Sequence, residues 1–336
     1  MFEVFSFSFN AVAPILLLAV AGYIIKLTKL FDDSFFKKCN TMVFKVFLPI
    51  LLFKNVYDIK SISEINVTAL LYCVAVILIL CLIGYICAKF FAQTRQQKGV
   101  INQCTFRSNY AIIGIPLADS LGSAQALAFA GVLSAVSIPL FNVLAVMILS
   151  HYSGKDAQAD VKNTIRSAAK NPLIRGVGLG IVVLIIRSFI PMDEAGQLIF
   201  SVKDDLPFIY EAVSNLAKVA SPLALVVLGA RFDFSAVKSL IKPISAAVIL
   251  RLVVAPLVGV GGAVLLGSLG MLNFTATEYP GIIALFSTPV AVSSAVMVSE
   301  IGGDEQLAGQ LVVWTSVLSV LSMFVVVFIM KSAAFI

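Results

Sequence analysis

The chain has 336 residues, of which 60% are hydrophobic and only 12% charged, with a mean hydropathy of +1.02. That composition excludes a soluble globule and describes a polytopic membrane protein. The five cysteines have no metal-ligand spacing with the single His151, so neither a metal nor a cofactor is expected.

Apolar runs near the ~20 residues needed to span a bilayer fall at 5–27, 35–57, 65–91, 100–121 and 123–152. They resume at 172–190, 206–231, 239–269, 277–301 and 305–331. The expectation is therefore ten spans. No cation precedes the first run and the earliest is Lys26, which argues against a cleavable signal and for an external N-terminus. Alternation of sides gathers Lys26, Lys29, Lys37, Lys38, Lys89, Arg95, Lys98, Arg175, Arg231, Lys238, Lys242 and the cations of a polar linker (Lys155, Lys162, Arg166 and Lys170) on one side. Only Lys54, Lys60, Arg187, Lys203 and Lys331 fall on the other. The positive-inside rule makes the first side cytoplasmic and puts both termini outside an inner (cell) membrane. The net charge of +6 is thereby explained by loops, and no nucleic acid partner is implied.

Residues 153–171 form the linker and divide the spans into a first repeat at 1–152 and a second at 172–336. Five spans per half force the second half to enter the membrane inverted. Pro49 and Pro222, Pro116 and Pro289, and Lys45 and Lys218 are each 173 apart (222 − 49, 289 − 116, 218 − 45), which suggests an inverted repeat. Later, Leu121-Gly122 matches Ile301-Gly302 at an offset of 180, so span nine is expected to run about two turns longer than span four beyond its break.

Span four contradicts itself as a helix, because Gly114 and Pro116 stand in its middle, and the break is expected there. Span nine carries Pro289 with Ser287 and Thr288 just before it to bond freed backbone groups. Paired broken helices point to a solute site at the bilayer midplane. Four cations lie inside spans, Lys45, Arg107, Lys218 and Arg251, while Asp119, Glu211, Glu278 and Glu300 stay near predicted ends. Arg107, two residues from Asn109, is read as functional. Arg251 is read as bonding backbone carbonyls, and Lys45 and Lys218 suit either role. Surplus buried positive charge beside half-helix N-termini favours a negatively charged solute. Gly176, Gly178 and Gly180 have the spacing of a nucleotide loop, but they lie in an apolar helix with no strand before it and are read as packing glycines.

The stretch Ser-Asn-Tyr-Ala-Ile-Ile-Gly-Ile-Pro-Leu from Ser108 to Leu117 resembles the Asn-x-x-x-x-Gly-Ile-Pro-Leu crossover motif of the auxin efflux carrier family. That family includes plant PIN-type auxin exporters and bacterial organic-acid permeases. Phe-Leu-Pro-Ile-Leu-Leu-Phe from Phe47, Asn-Pro-Leu from Asn171, Ser-Pro-Leu-Ala-Leu-Val-Val-Leu-Gly from Ser221 and Ser-Thr-Pro-Val-Ala-Val-Ser-Ser from Ser287 look like its other landmarks. The resemblance implies an all-α membrane protein of ten transmembrane helices in a 5+5 inverted repeat, with helices four and nine crossed as in bile-acid transporters. A scaffold of helices 1, 2, 6 and 7 would carry a mobile unit of helices 3–5 and 8–10 in an elevator cycle, usually as a homodimer. Asn109 would contact substrate beside Tyr110 and Gly114, with Pro116 and Pro289 as the crossover points. Lys45 matches the lysine that plant members associate with an acid on helix three, but residues 68–87 contain no acid. The expected function is secondary transport, in the direction of export, of a small organic anion: a mono- or dicarboxylate such as malate or malonate, or an auxin-like indole acid. The alternative is a sodium- or proton-coupled symporter of the bile-acid type, with Ser293, Ser294 and Gln310 near the coupling ion. An enzyme is not expected, since neither a Ser/His pair nor paired aspartates lie inside the spans.

Overall fold

The computed structural model describes residues 2–58, 66–153, 172–191, 199–232 and 235–336. The linker at 154–171 with its cations, and Lys60, lie outside the described residues. Among the described residues the chain is all-helical: α1 (Phe2–Leu27), α2 (Asp33–Met42), α3 (Leu48–Tyr57), α4 (Val67–Phe91), α5 (Arg95–Phe106), α6 (Ile115–Leu121), α7 (Ala124–Tyr152), α8 (Pro172–Ser188), α9 (Val202–Asp205), α10 (Pro207–Ala230), α11 (Ala236–Ile249), α12 (Gly262–Ser268), α13 (Tyr279–Ser287), α14 (Ser293–Ile301) and α15 (Glu305–Ser332). Polar residues at the loop exits start the helices by accepting an otherwise orphaned N–H. Asp32 accepts from Phe35, Asn66 from Ala69, Thr94 from Gln97, Ser123 from Ala126 and Asp304 from Leu307.

Among the described residues, five helical stretches are long and apolar enough to cross a membrane: Val67–Phe91, Gln125–Tyr152, Pro207–Ala230, Val237–Ser268 and Glu305–Ser332. Their apolar surface exceeds what the fold can cover. Only 28% of the most apolar stretch of Val67–Phe91 is buried, and Leu71, Leu78, Leu82, Leu257 and Leu321 stand exposed. A helix apolar all round with an uncovered face is stable only in hydrocarbon.

Prolines shape the remaining segments. Wide, one-residue-expanded turns at Val43–Phe47, Tyr110–Gly114 and Leu250–Val254 each end two residues before a proline, namely Pro49, Pro116 and Pro256. A proline ring presses on the carbonyl four residues back and offers no N–H. Opening the preceding turn relieves both problems, and the residue before each proline bonds five residues back: Leu48 N–H to Val43, Ile115 to Tyr110 and Ala255 to Leu250.

The position of the first break therefore differs from expectation. The chain leaves α5 at Arg107, nine residues before Pro116 (116 − 107), and Pro116 sits exposed just past the expanded turn Tyr110–Gly114, which accommodates its missing N–H. Pro289, by contrast, lies inside the second break, between α13 and α14. Pro116 and Pro289 are thus not equivalent, and the longer ninth span is overturned too. From Asn109 to the end of α6 is 12 residues (121 − 109), and from Pro289 to the end of α14 is also 12 (301 − 289).

Helix α3 packs on α8 and α10, and α10 on α1; α5 packs on α4 and α7, α13 on α6 and α7, and α11 on α15, while α1 also touches α15. Glycines allow the closest approaches. A Cβ at Gly176 of α8 would lie 2.4 Å from the Pro49 carbonyl oxygen, so the packing reading of that glycine holds.

Candidate functional site

The two interruptions meet in the core. Helix α5 is buried from Gly99 to Phe106 and ends with Arg107 in an extended conformation (φ −86°, ψ 107°). Helix α13 is buried throughout and ends at Thr288, extended (ψ 156°) as a residue before proline must be. Ser108 and Val290 then form an antiparallel bridge, and the Asn109 N–H donates to the Pro289 carbonyl at 2.8 Å. The Asn109 carbonyl accepts from Ile113 and Gly114, and the Val290 N–H donates to Thr315 Oγ1 at 3.2 Å. Two chains crossing in an apolar interior can leave no backbone group unpaired, and these bonds meet much of that demand.

Two buried arginines flank the crossing, 2% and 0% exposed. Arg251 donates to three carbonyls: Nε to Thr288 at 2.8 Å, one terminal nitrogen to Leu285 at 3.0 Å and the other to Thr105 at 3.3 Å. It binds backbone carbonyls, as expected. Arg107 donates to Asn142 Oδ1 and Ser293 Oγ, both at 2.9 Å, and to Met297 Sδ at 3.2 Å. All its partners are neutral, and among the described residues neither arginine is in an ion pair.

Arg107 borders a cavity of about 50 Å³ together with Ser108, Asn109, Tyr110, Asn142, Ser293, Ser221 of α10 and leucines of α3. The helical stretches Tyr110–Leu121 and Ser293–Ile301 both begin at it, so first-turn N–H groups converge there. Two buried polar atoms of its wall, Asn109 Nδ2 and Ser108 Oγ, have no protein partner, nor do Ser287 Oγ, Ser294 Oγ and Gln103 Oε1 on the interrupted helices. Native interiors rarely leave such groups unpaired without a water, ion or ligand to meet them.

The predicted residues divide accordingly. Arg107, Asn109 and Tyr110 line the cavity, whereas Ser287 ends α13 and Thr288 and Pro289 lie in the second break; none of these three borders the cavity. The Tyr110 hydroxyl is engaged with the Ala130 carbonyl at 3.2 Å, and its ring lies against Gly114, where a Cβ would meet it at 2.5 Å. Gly114 thus serves packing. Pro116, Lys45 and Lys218 are exposed and do not border the cavity. Asn142 escaped the sequence reading. Its signal was an amide in the middle of the long apolar run Gln125–Tyr152.

A second, polar cavity of about 200 Å³ lies between α10 and α14–α15. At it Arg231 pairs with Glu305 and donates to Ser299 Oγ at 2.9 Å, while Asn40 and Thr41 of α2 hold Glu300 at 3.0 and 2.8 Å.

The model of the membrane transport protein family matches residues 7–327. The chain belongs to this family, the auxin efflux carrier family. It is accordingly a multi-pass membrane protein of a transporter family. It is also 22% identical over 322 residues to an uncharacterized transporter of Methanothermobacter thermautotrophicus, covering 95% of this chain and 97% of that one.

Proposed function

We propose that the protein is a secondary carrier that holds the carboxylate of a small organic anion at the crossover. The observation behind this reading is the cavity where a guanidinium with neutral partners, an unpartnered amide and two helix N-termini converge. Each of these favours negative charge, and among the described residues no acidic side chain borders the cavity. Its volume suits one small polar head group rather than a whole drug-sized molecule. The leucines of α3 supply the apolar wall that the organic part of the solute requires.

In this reading the chain has ten spans in two inverted halves, 1–152 and 172–336. The equal distances from Asn109 to Leu121 and from Pro289 to Ile301 support it, since a two-fold axis makes matched residues touch at the crossing. A scaffold of α1–α3, α8 and α10 carries a moving unit of α4–α7 and α11–α15, alternately opening the cavity to either side, and two copies pair through their scaffolds. Both termini face out. An inside-negative potential then favours anion exit by about 2.3 kcal/mol per charge per 100 mV.

The test is counterflow of labelled malate, malonate and indole-3-acetate in proteoliposomes, repeated with Arg107→Gln. At least one carboxylate exchanges, and the variant loses most of that flux. Failure of every carboxylate to exchange, or equal flux through Arg107→Gln, refutes the assignment.

A further inference from the structure

The two buried arginines have different duties. Arg251 is absent from the cavity wall. It projects from the expanded turn Leu250–Val254 ahead of Pro256, and its hydrogen-bond partners among the described residues are main-chain oxygens at the ends of two half-helices. Thr105 closes α5; Leu285 and Thr288 close α13. A helix C-terminus carries about half a negative charge on its last unsatisfied carbonyls. Two such ends converge here in the buried core, and among the described residues no carboxylate pairs with Arg251.

Two of the neighbouring carbonyls are met locally. The Gln103 oxygen takes the Arg107 N–H at 2.9 Å and the Ala284 oxygen takes Thr288 Oγ1 at 3.0 Å. What is left is a pocket of oxygen dipoles with net negative character. Oxygen dipoles of this kind are the usual ligands of a hard monovalent cation, and a guanidinium with five donors fills the same need without leaving.

We propose that Arg251 is a tethered counter-cation: it neutralises the C-terminal ends of both broken helices in place of a free ion, so the anion site at their N-terminal side stays intact without sodium. This rests on the carrier reading above. It adds that the chain carries its own cation through the cycle, and that removing Arg251 exposes a latent cation site.

The experiment uses the purified full-length protein without any organic anion, and the apparent Tm is read at constant ionic strength in sodium, potassium or N-methylglucamine chloride, with or without millimolar methylguanidinium. The wild type shows the same Tm in all of them. Arg251→Gln melts lower and regains roughly 2–4 °C, saturably, with methylguanidinium or sodium. Arg251→Lys keeps the charge and stays close to the wild type. Selective stabilisation of the wild type by sodium overturns the proposal. So does an Arg251→Gln protein that matches the wild type, or one that no cation restores. Should Arg251→Gln fail to fold, Arg251→Lys decides: near-wild-type melting supports the counter-cation, and loss of folded protein overturns it. No anion enters the readout, so a failed carboxylate screen would refute the carrier reading while leaving this outcome separate.

Discussion

Replacing Asn109 with alanine separates what the site costs the fold from what it gives a ligand. The residue is 3% exposed and its Nδ2 has no partner, yet its backbone N–H and carbonyl hold the crossover. Alanine keeps those main-chain bonds and tolerates the local backbone (φ −81°, ψ 51°). An unsatisfied buried donor costs about 1–3 kcal/mol. Its removal offsets the small packing loss, so the apparent Tm of the ligand-free variant should stay level or rise by about 2–4 °C. Binding moves the other way. A hydrogen bond to a charged group contributes about 1.5–3 kcal/mol, so affinity for the best carboxylate should fall about 10- to 100-fold. Both are read in one thermal-shift titration in detergent. A variant that melts several degrees lower while responding to carboxylates like the wild type would show that the amide is structural, and the argument from unpaired atoms would fail.

Two glycines of one helix give a sharper test of packing. Gly176→Ala places a methyl 2.4 Å from the Pro49 carbonyl oxygen, while Gly178→Ala meets nothing within 4 Å. Both gain helix propensity, so Gly178→Ala should be level or stabilised by about 0.4–1 kcal/mol. Gly176→Ala should lose about 1–3 kcal/mol through overpacking, and equal melting of the two would contradict the close approach of α8 to α3. At the second cavity, Arg231→Ala should raise the labelling rate of an introduced Ser299→Cys by a small charged thiol reagent, because Arg231 covers that side chain. The cost in stability should stay within about 1 kcal/mol, since the Arg231–Glu305 pair is partly exposed. Unchanged labelling would mean that the pair guards nothing.

Mid-span prolines were enough to foretell two interrupted helices in the core, because in hydrocarbon a broken ladder must be met by something. They misplaced the first interruption. Sequence spacing treats Pro116 and Pro289 alike, but an expanded turn absorbs the first and the chain opens at Arg107 instead. That choice depends on where a partner carbonyl, Pro289, is available across the core, which no local pattern records. The roles of the cations split for the same reason. Lys45 and Arg107 are both unpaired charges in apolar runs, and only the fold puts one at the surface and the other against Asn142 and Ser293. The packing of Gly176 and Gly180 and the carbonyl-bound Arg251 were legible because their reading followed from size and donor count alone; Gly178, read the same way, meets nothing within 4 Å, because spacing does not show which side of a helix faces a neighbour.

The bonds at the crossing also constrain how the protein is made. Thr105 receives its donor from a residue 146 positions later, and Asn109 waits for Pro289, 180 positions on (289 − 109). At translation rates of about 5–20 residues per second, the first of those delays alone lasts roughly 7–30 s. Throughout it the leading half has an exposed seam of backbone that nothing yet synthesised can close. Biogenesis must shelter that seam, so a half-length fragment ending near residue 152 should remain with the insertion machinery rather than leave it as a stable unit.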